Sequence, residues 1–233
     1  DISQLAVTQK IYRSALICTV FLNAELPGWV YGGRKHYQAA DMTCLVRTII
    51  DKMRLSGRLL TIWRTDLKKA FNSIKWSTLF KALKWWKVDP KIICALMREI
   101  CDALLIAVLD GEVGIPARTL RGILQGAGDS MQLLNLVVVW VVSPLLENWK
   151  KDDLVLKFEK DETNAVPHFQ QVQWGIATWA DDFLLFTNTV KKGRVVVKQL
   201  VRALEENGMA ISEDHEKLDC ATNYGIPKKR KEI

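Results

Sequence analysis

Two aspartates stand side by side at positions 181 and 182, within Thr178-Trp179-Ala180-Asp181-Asp182-Phe183-Leu184-Leu185-Phe186. Residues 176–180 and 183–186 are short apolar runs rich in aromatic and branched side chains, so the stretch reads as a β-hairpin with the acid pair at its turn. Tight turns favour Asn-Gly or Asp-Gly because both central residues can need positive φ. Adjacent carboxylates there have two readings: an ordinary solvated turn, which Asp tolerates, or a site for divalent metal. A third carboxylate, Asp66, closes the strand predicted from 58–63 and opens Thr65-Asp66-Leu67-Lys68-Lys69-Ala70-Phe71-Asn72-Ser73-Ile74. Asp is depleted in strands. It is therefore either the N-cap of a helix beginning near Lys69 or a partner facing the acid pair. In the second reading two Mg²⁺ ions, about 4 Å apart, would activate a hydroxyl and neutralise a leaving phosphate.

The elements that must bring these acids together are legible in the periodicity. Residues 3–22 carry Leu5, Ile11, Ala15 and Val20 at helical spacing, and 27–38 (PGWVYGGRKHYQ) form a Gly-rich, basic and aromatic loop. Asp41 is read as the cap of a helix through Met53, with Leu45, Ile49 and Met53 on one face. Residues 74–86 and 90–101 are predicted helices, the second opened by Pro90. A hairpin around Asp110-Gly111 (104–123), the loop LQGAGDS (124–130) and a long helix to about Trp149 follow. A mixed-charge surface excursion over 150–170 precedes the acidic hairpin, and a helix over 190–206 stops at Gly208. Strands and helices in unequal order predict an α+β fold.

Composition narrows the partners. The 233 residues can bury one large domain or two intimate subdomains, and 33 Lys and Arg against 26 Asp and Glu give +7, compatible with a polyanion. Five cysteines without a CxxC pair, and three histidines, argue against zinc and for reduced, intracellular thiols. The longest apolar run, 133–142, contains Asn135 and is too short to span a bilayer, so no membrane is expected. The chain starts at Asp1 without Met and is expected to be a fragment. Its terminal PKKRK (227–231) resembles a nuclear import signal, with a solvated basic tail as the plainer reading.

Taken in order, the motifs resemble the reverse transcriptase family, particularly the non-LTR retrotransposon and group II intron type. TDLKKAFNSI (65–74) resembles its first catalytic motif, RGILQGAGDSMQLLNL (121–136) its Gln-Gly motif and TWADDFLLF (178–186) its Ala-Asp-Asp turn. GWVYGG (28–33) and NGMAISEDHEKLDC (207–220) resemble the flanking segments. Ordered sets of this kind are specific where single motifs are weak. The resemblance implies a polymerase palm, an antiparallel sheet backed by helices, with partial helical fingers. Residues 1–58 would be partial fingers, 59–220 mainly palm with fingers-side helices and hairpin, and 221–233 a basic tail. Upstream fingers strands and the thumb would be missing, as in part of a larger polyprotein. It implies RNA-directed DNA synthesis with Mg²⁺, or Mn²⁺ in its place, on an RNA template and DNA primer with deoxynucleoside triphosphates.

Residue by residue, the resemblance assigns Asp66, Asp181 and Asp182 to the catalytic metals. Phe71 would lie under the sugar of the incoming nucleotide and exclude a 2′-hydroxyl. Gln125 would bond near the template or nucleotide, and Gly126 would let backbone approach the nascent base pair. Lys217 would protonate pyrophosphate, and Arg34 with Lys35 would touch phosphates; solvated charges are the plain alternative for all three. Ser130 is read as the N-cap of the long helix and Asn135 as structural. Asn72 replaces a common Asp, Trp179 a Tyr or Phe, and Met131 a proline, while Gly33 alters the fingers-side loop. An RNA-dependent RNA polymerase-like enzyme shares the acids, but Phe71 five residues after Asp66 favours deoxynucleotides. A catalytically idle nucleic-acid-binding remnant is the other alternative.

Overall fold

Alternation along one strand organises the centre of the protein. The computed structural model describes residues 7–22, 24–106, 108–110, 112–124, 127–157, 173–211 and 219–223. Within it, strand β1 (Thr61–Asp66) buries Thr61, Trp63 and Thr65 on one face and turns Ile62, Arg64 and Asp66 to the other. Helices α1 (Val7–Phe21) and α2 (Ala39–Leu55) precede it, and α3 (Ala70–Ser73), α4 (Trp76–Trp85) and α5 (Pro90–Cys101) follow. Next come two nested antiparallel ribbons. β2 (Leu104–Leu105) pairs with β5 (Ala117–Arg118), and inside them β3 (Val108–Leu109) pairs with β4 (Glu112–Val113). Helix α6 (Ser130–Lys151) leads to the β6 (Leu156–Lys157) and β7 (Gln173–Trp174) ribbon. The acidic hairpin, β8 (Ile176–Trp179) and β9 (Asp182–Thr187), then precedes α7 (Val190–Glu206) and β10 (Asp219–Thr222).

The four long strands form one antiparallel sheet in the order β10-β1-β9-β8. This is the α+β architecture the motif order implies. One face carries Trp63, Phe183 and Leu185 into the main core with α4, α6 and α7. The other carries Ala177 and Phe186 against Met42, Leu45, Ile49 and Met53 of α2. Asp66, Arg64 and Asp182 belong to this second face by the strand alternation and register.

Helix α6 is the core's main apolar element. The ten-residue run seen in the sequence is the middle of a 22-residue helix, long and apolar enough by composition to cross a membrane. Leu133, Leu134, Leu136, Val137, Val138 and Val142 are instead packed inside the protein, which makes α6 a core helix. Burial here exposes no continuous apolar surface to lipid.

Three helix starts correct the sequence reading. Asp41 does not cap α2. Gln38 holds that position, and the Asp41 carboxylate, three residues on, accepts its amide at 2.6 Å, the reach-back half of a capping box. Ser130 is the first helical residue of α6 rather than its cap, and its hydroxyl donates to Leu124 O at 2.5 Å. The cap position belongs to Asp129, whose carboxylate is committed elsewhere. It accepts Arg13 Nε at 3.0 Å and lies 2.8 Å from Nη2, with both side chains 1% exposed. Removing either partner of such a pair leaves a buried charge unmatched, so α1 is bound to the start of α6 across 116 positions. Asp66 does not hold the cap position of α3, which belongs to Lys69, in the left-handed region at φ 49°. Helix α5, by contrast, starts as read, with Pro90 first and Asp89 accepting the Lys91 amide at 2.7 Å.

Candidate active site

The acidic turn sits one residue earlier than the sequence suggests. Trp179 pairs with Asp182, so the two central residues of the hairpin loop are Ala180 and Asp181, and Asp182 is the first residue of β9. Of the central pair only Ala180 has positive φ, 57°. Glycine is preferred at this first position of such a turn, and a Cβ in the left-handed region costs about 1–2 kcal/mol. Ala180→Gly is therefore expected to raise Tm by roughly 1–4 °C once the extra flexibility of the unfolded chain is set against the relieved strain. A lower Tm in a thermal melt would mean that the buried Ala180 methyl contributes more than the turn costs.

Register brings the acids together. Asp66 and Asp182 are direct partners on β1 and β9, and the ladder continues past them with Leu67 N donating to Asp181 O at 3.0 Å. Asp181 thus stands diagonally across from Asp66, although 115 positions separate them in the chain. Burial pushes the Asp181 carboxyl above its ordinary range. A backbone hydrogen bond pulls it down, while the charges of Asp66 and Asp182 and a side-chain hydrogen bond with Asp66 push it further up. Asp66 at the end of β1 and Asp181 in the adjoining turn are neighbours across the ladder, and a cation beside them would offset the negative charge that raises Asp181. Asp182 is turned to a different partner: Oδ1 accepts Arg64 Nη2 at 3.1 Å in a solvent-exposed ion pair. Among the described residues no three His, Cys, Asp or Glu stand together as a ligand set. The Asp66–Asp181 pair would suit Mg²⁺, which uses one or two carboxylates and takes its other oxygens from water and phosphate.

The Gly-rich loop before α2 supports the turn from outside. Tyr31 N donates to Thr178 O at 2.9 Å and Thr178 N to Trp29 O at 2.9 Å, so the loop lies along β8 like an extra short strand. Gly32 then passes directly over the turn. A Cβ there would stand 2.5 Å from Ala180 N and 3.1 Å from the Trp179 carbonyl carbon. Gly33, at φ 68°, leaves room for Met131: its Cβ would meet Met131 Cγ at 2.1 Å. The buried Asn135 amide donates to Gly32 O at 2.8 Å, so α6 clamps the loop onto the acidic turn. Asn135 has the structural role expected of it, and Gly32 is the position that reading missed.

The remaining expected residues divide by place. Phe71, on α3, is half-buried against the main core, and its carbonyl accepts Ile123 N at 2.8 Å. With Gly122 N on Ile74 O at 2.7 Å and Trp76 Nε1 on Gly122 O at 2.8 Å, the entry to the Gln-Gly loop is tied to α3. Arg34 is held against its own loop, with Nη1 on Pro27 O at 3.1 Å and the guanidinium 4.5 Å from the Tyr37 ring centre. Lys35 is exposed, and Trp179 is half-buried against the second cluster. Gln125, Gly126, Lys217 and the basic tail at 227–231 lie outside the described residues. Arg64 was missed by sequence reasoning, although period-two alternation from Asp66 places it on the same sheet face.

A four-stranded antiparallel sheet with two acids at the end of β1 and in the adjoining turn is the arrangement that the motif resemblance implies. The family Reverse transcriptase (RNA-dependent DNA polymerase) matches residues 2–223, and the chain belongs to that family. No curated protein sequence matches it. Among solved structures, it is similar to apo telomerase from Candida tropicalis truncated from its C-terminal domain, at TM-score 0.62 and 15% identity over 94% of this chain and 41% of that one. Telomerase from Candida tropicalis in complex with the TWJ fragment of telomeric RNA aligns at TM-score 0.63 and 13% identity, over 91% of this chain and 33% of that one. Telomerase from Candida albicans with the same RNA fragment gives 0.59 and 14%, over 93% and 35%. At these identities the likeness is one of fold, and the chain spans well under half the length of each.

Proposed function

We propose that this chain is the catalytic segment of a longer retroelement protein of the non-LTR or group II type, which copies an RNA template into DNA from a primer. The observation that carries the reading is the Asp66–Asp181 pair, two carboxylates brought side by side by the β1–β9 register, inside a chain of the reverse transcriptase family. Asp66 and Asp181 would hold Mg²⁺, or Mn²⁺. The bound ion would supply Lewis-acid activation of the primer hydroxyl and neutralise the leaving pyrophosphate. Asp182, paired with Arg64, would add negative potential beside the ions rather than a coordinating oxygen. The division into fingers-side residues 1–58, palm residues 59–220 and a basic tail belongs to the same proposal, as do an intracellular setting and nuclear import through that tail. Mn²⁺ titration followed by electron paramagnetic resonance tests the site directly: Asp66→Asn should abolish saturable binding, and unchanged binding would remove the pair from the mechanism.

Phe71 would set the sugar preference. It follows Asp66 by five residues, on the short helix tied to the Gln-Gly loop. A ribose 2′-hydroxyl would press on the ring, and such overlap costs about 1–3 kcal/mol, roughly 5- to 150-fold in selectivity. In the longer protein, Phe71→Val is expected to raise ribonucleotide use relative to deoxynucleotide use by roughly 5- to 150-fold when both compete on one template. Equal loss of both would mean that Phe71 serves the core alone.

A further inference from the structure

A second charged surface lies on the opposite side of the sheet from the carboxylates. Helix α4 packs Leu79, Ala82 and Leu83 into the main core, the face of the sheet carrying Trp63 and Phe183. Its outer face presents Phe80, Lys81, Lys84 and Trp85, positions three and four apart that stand together on a helix. Phe80 is 43% and Trp85 46% exposed. Their exposure is built in: Trp86, the next residue, is anchored inward with Nε1 donating to Leu136 O at 3.0 Å. Its ring meets Trp85 edge-on at 5.2 Å, which holds Trp85 outward. Lys84 Nζ stands 5.6 Å from the centre of the Phe80 ring. Lys87, just after the end of α4, and Lys91, in the first turn of α5, are exposed as well.

Charge on this face is one-signed. Residues 75–91 contain five lysines and a single acid, Asp89, so this short segment carries most of the chain's +7. The Asp89 carboxylate is already occupied by the Lys91 amide. No carboxylate among the described residues forms an ion pair with Lys81, Lys84, Lys87 or Lys91. A solvated lysine face does not need two large aromatic rings held in water. A partner carrying both phosphates and flat, unpaired bases would use all six side chains at once.

We infer that the outer face of α4 binds single-stranded nucleic acid, with Trp85 and Phe80 stacking on bases and Lys81, Lys84, Lys87 and Lys91 on phosphates. The site is separate from the carboxylate pair and extends the proposed function: a strand lying outside the synthesis cleft would be held on the far side of the sheet. Duplexes bury their base faces and would gain only the phosphate contacts.

Fluorescence anisotropy of the whole chain with a labelled oligouridylate of about 20 nucleotides, with a duplex of equal length as control, tests this. Trp85→Ala should weaken oligouridylate binding about tenfold, Trp85→Phe should restore most of it, and duplex binding should not change. Lys81→Ala with Lys84→Ala should flatten the dependence of log K on log salt by ~1.4, at ~0.7 per single-strand phosphate contact. Trp85→Ala should leave saturable Mn²⁺ binding unchanged, so loss of this surface and loss of the metal site are read separately. Oligouridylate binding indifferent to Trp85 overturns the assignment and leaves only general polyanion attraction. Equal weakening of single strand and duplex overturns it too, as does capture by phosphatidylserine vesicles without oligouridylate binding.

Discussion

Asp181→Asn is expected to make the protein more heat-stable at neutral pH while abolishing saturable Mn²⁺ binding. The sign follows from the raised pKa of Asp181, caused first by burial and then by its acidic neighbours. The folded state holds the Asp181 proton more tightly than the unfolded chain does. That contribution is fully present below the ordinary Asp range and is lost as pH rises through the folded value. At pH 7 the native state therefore carries the cost of a half-buried carboxylate beside two others, and Asn removes it. In EDTA the variant should melt roughly 2–4 °C above the parent for each ~1 kcal/mol relieved, and the gap should close in acid. Mn²⁺ should raise the parent's Tm by mass action and leave the variant's alone. In the longer protein, primer extension should fall on the order of 10³-fold, since the ion's stabilisation of the transition state is worth several kcal/mol. A variant that melts lower than its parent at pH 7 would show that Asp181 serves the fold and not a cation.

Gly32→Ala is expected to damage the same site from a position that touches no substrate. Its new Cβ would stand 2.5 Å from Ala180 N and about as close to the Trp179 backbone as a peptide allows. These are backbone atoms of a two-residue turn, so no side chain can swing away. Overpacking of this kind costs about 1–3 kcal/mol, a Tm loss of several degrees at this size, and the turn carrying Asp181 must shift. Mn²⁺ affinity should fall with stability. Gly28→Ala is the matched control, because a Cβ there meets nothing within 4 Å, and it should change neither quantity. If Gly32→Ala melts like Gly28→Ala, the loop does not bear on the turn.

Much of this architecture was legible because it is periodic. The apolar spacing of 39–55, the Pro90 start and the long apolar run after 132 each specify a helix through local physics. The motif order, similarly, picks out Asp66, Asp181 and Asp182 together, without showing that Asp182 pairs with Arg64. What escaped were choices between neighbours one or two residues apart. Asp41 is the better cap by type, yet Gln38 holds the position and Asp41 reaches back to it; Ser130 and Asp129 are both acceptable by type, and the Asp129 carboxylate is taken by Arg13, a residue 116 positions away that no local pattern connects to it. The turn moved to Ala180-Asp181 because Asp182 pairs with Trp179 in the ladder, a matter of register that side-chain type does not encode. Gly32 and Asn135 were visible as residues, while their contact at the acidic turn exists only once β8 is in place.

The order of the central sheet has a consequence for how the protein is made. Strand β1 is flanked on both sides by strands from the far end of the chain: Thr61 pairs with Thr187 on one edge and with Thr222 on the other. A ribosome adding ~5–20 residues per second needs roughly 6–25 s to travel from β1 to β9. Throughout that interval a strand carrying Trp63 has two open edges, the form most prone to pair with the wrong chain. Helices α4 and α5, built from local contacts, can form meanwhile, but the ladder joining Asp66 to Asp181 cannot begin. Contacts of such long sequence separation also slow folding once the chain is free. Strand β1 is thus translated well before the strands that protect it, and its exposure to other nascent chains is set by the time needed to synthesise the residues between β1 and β9.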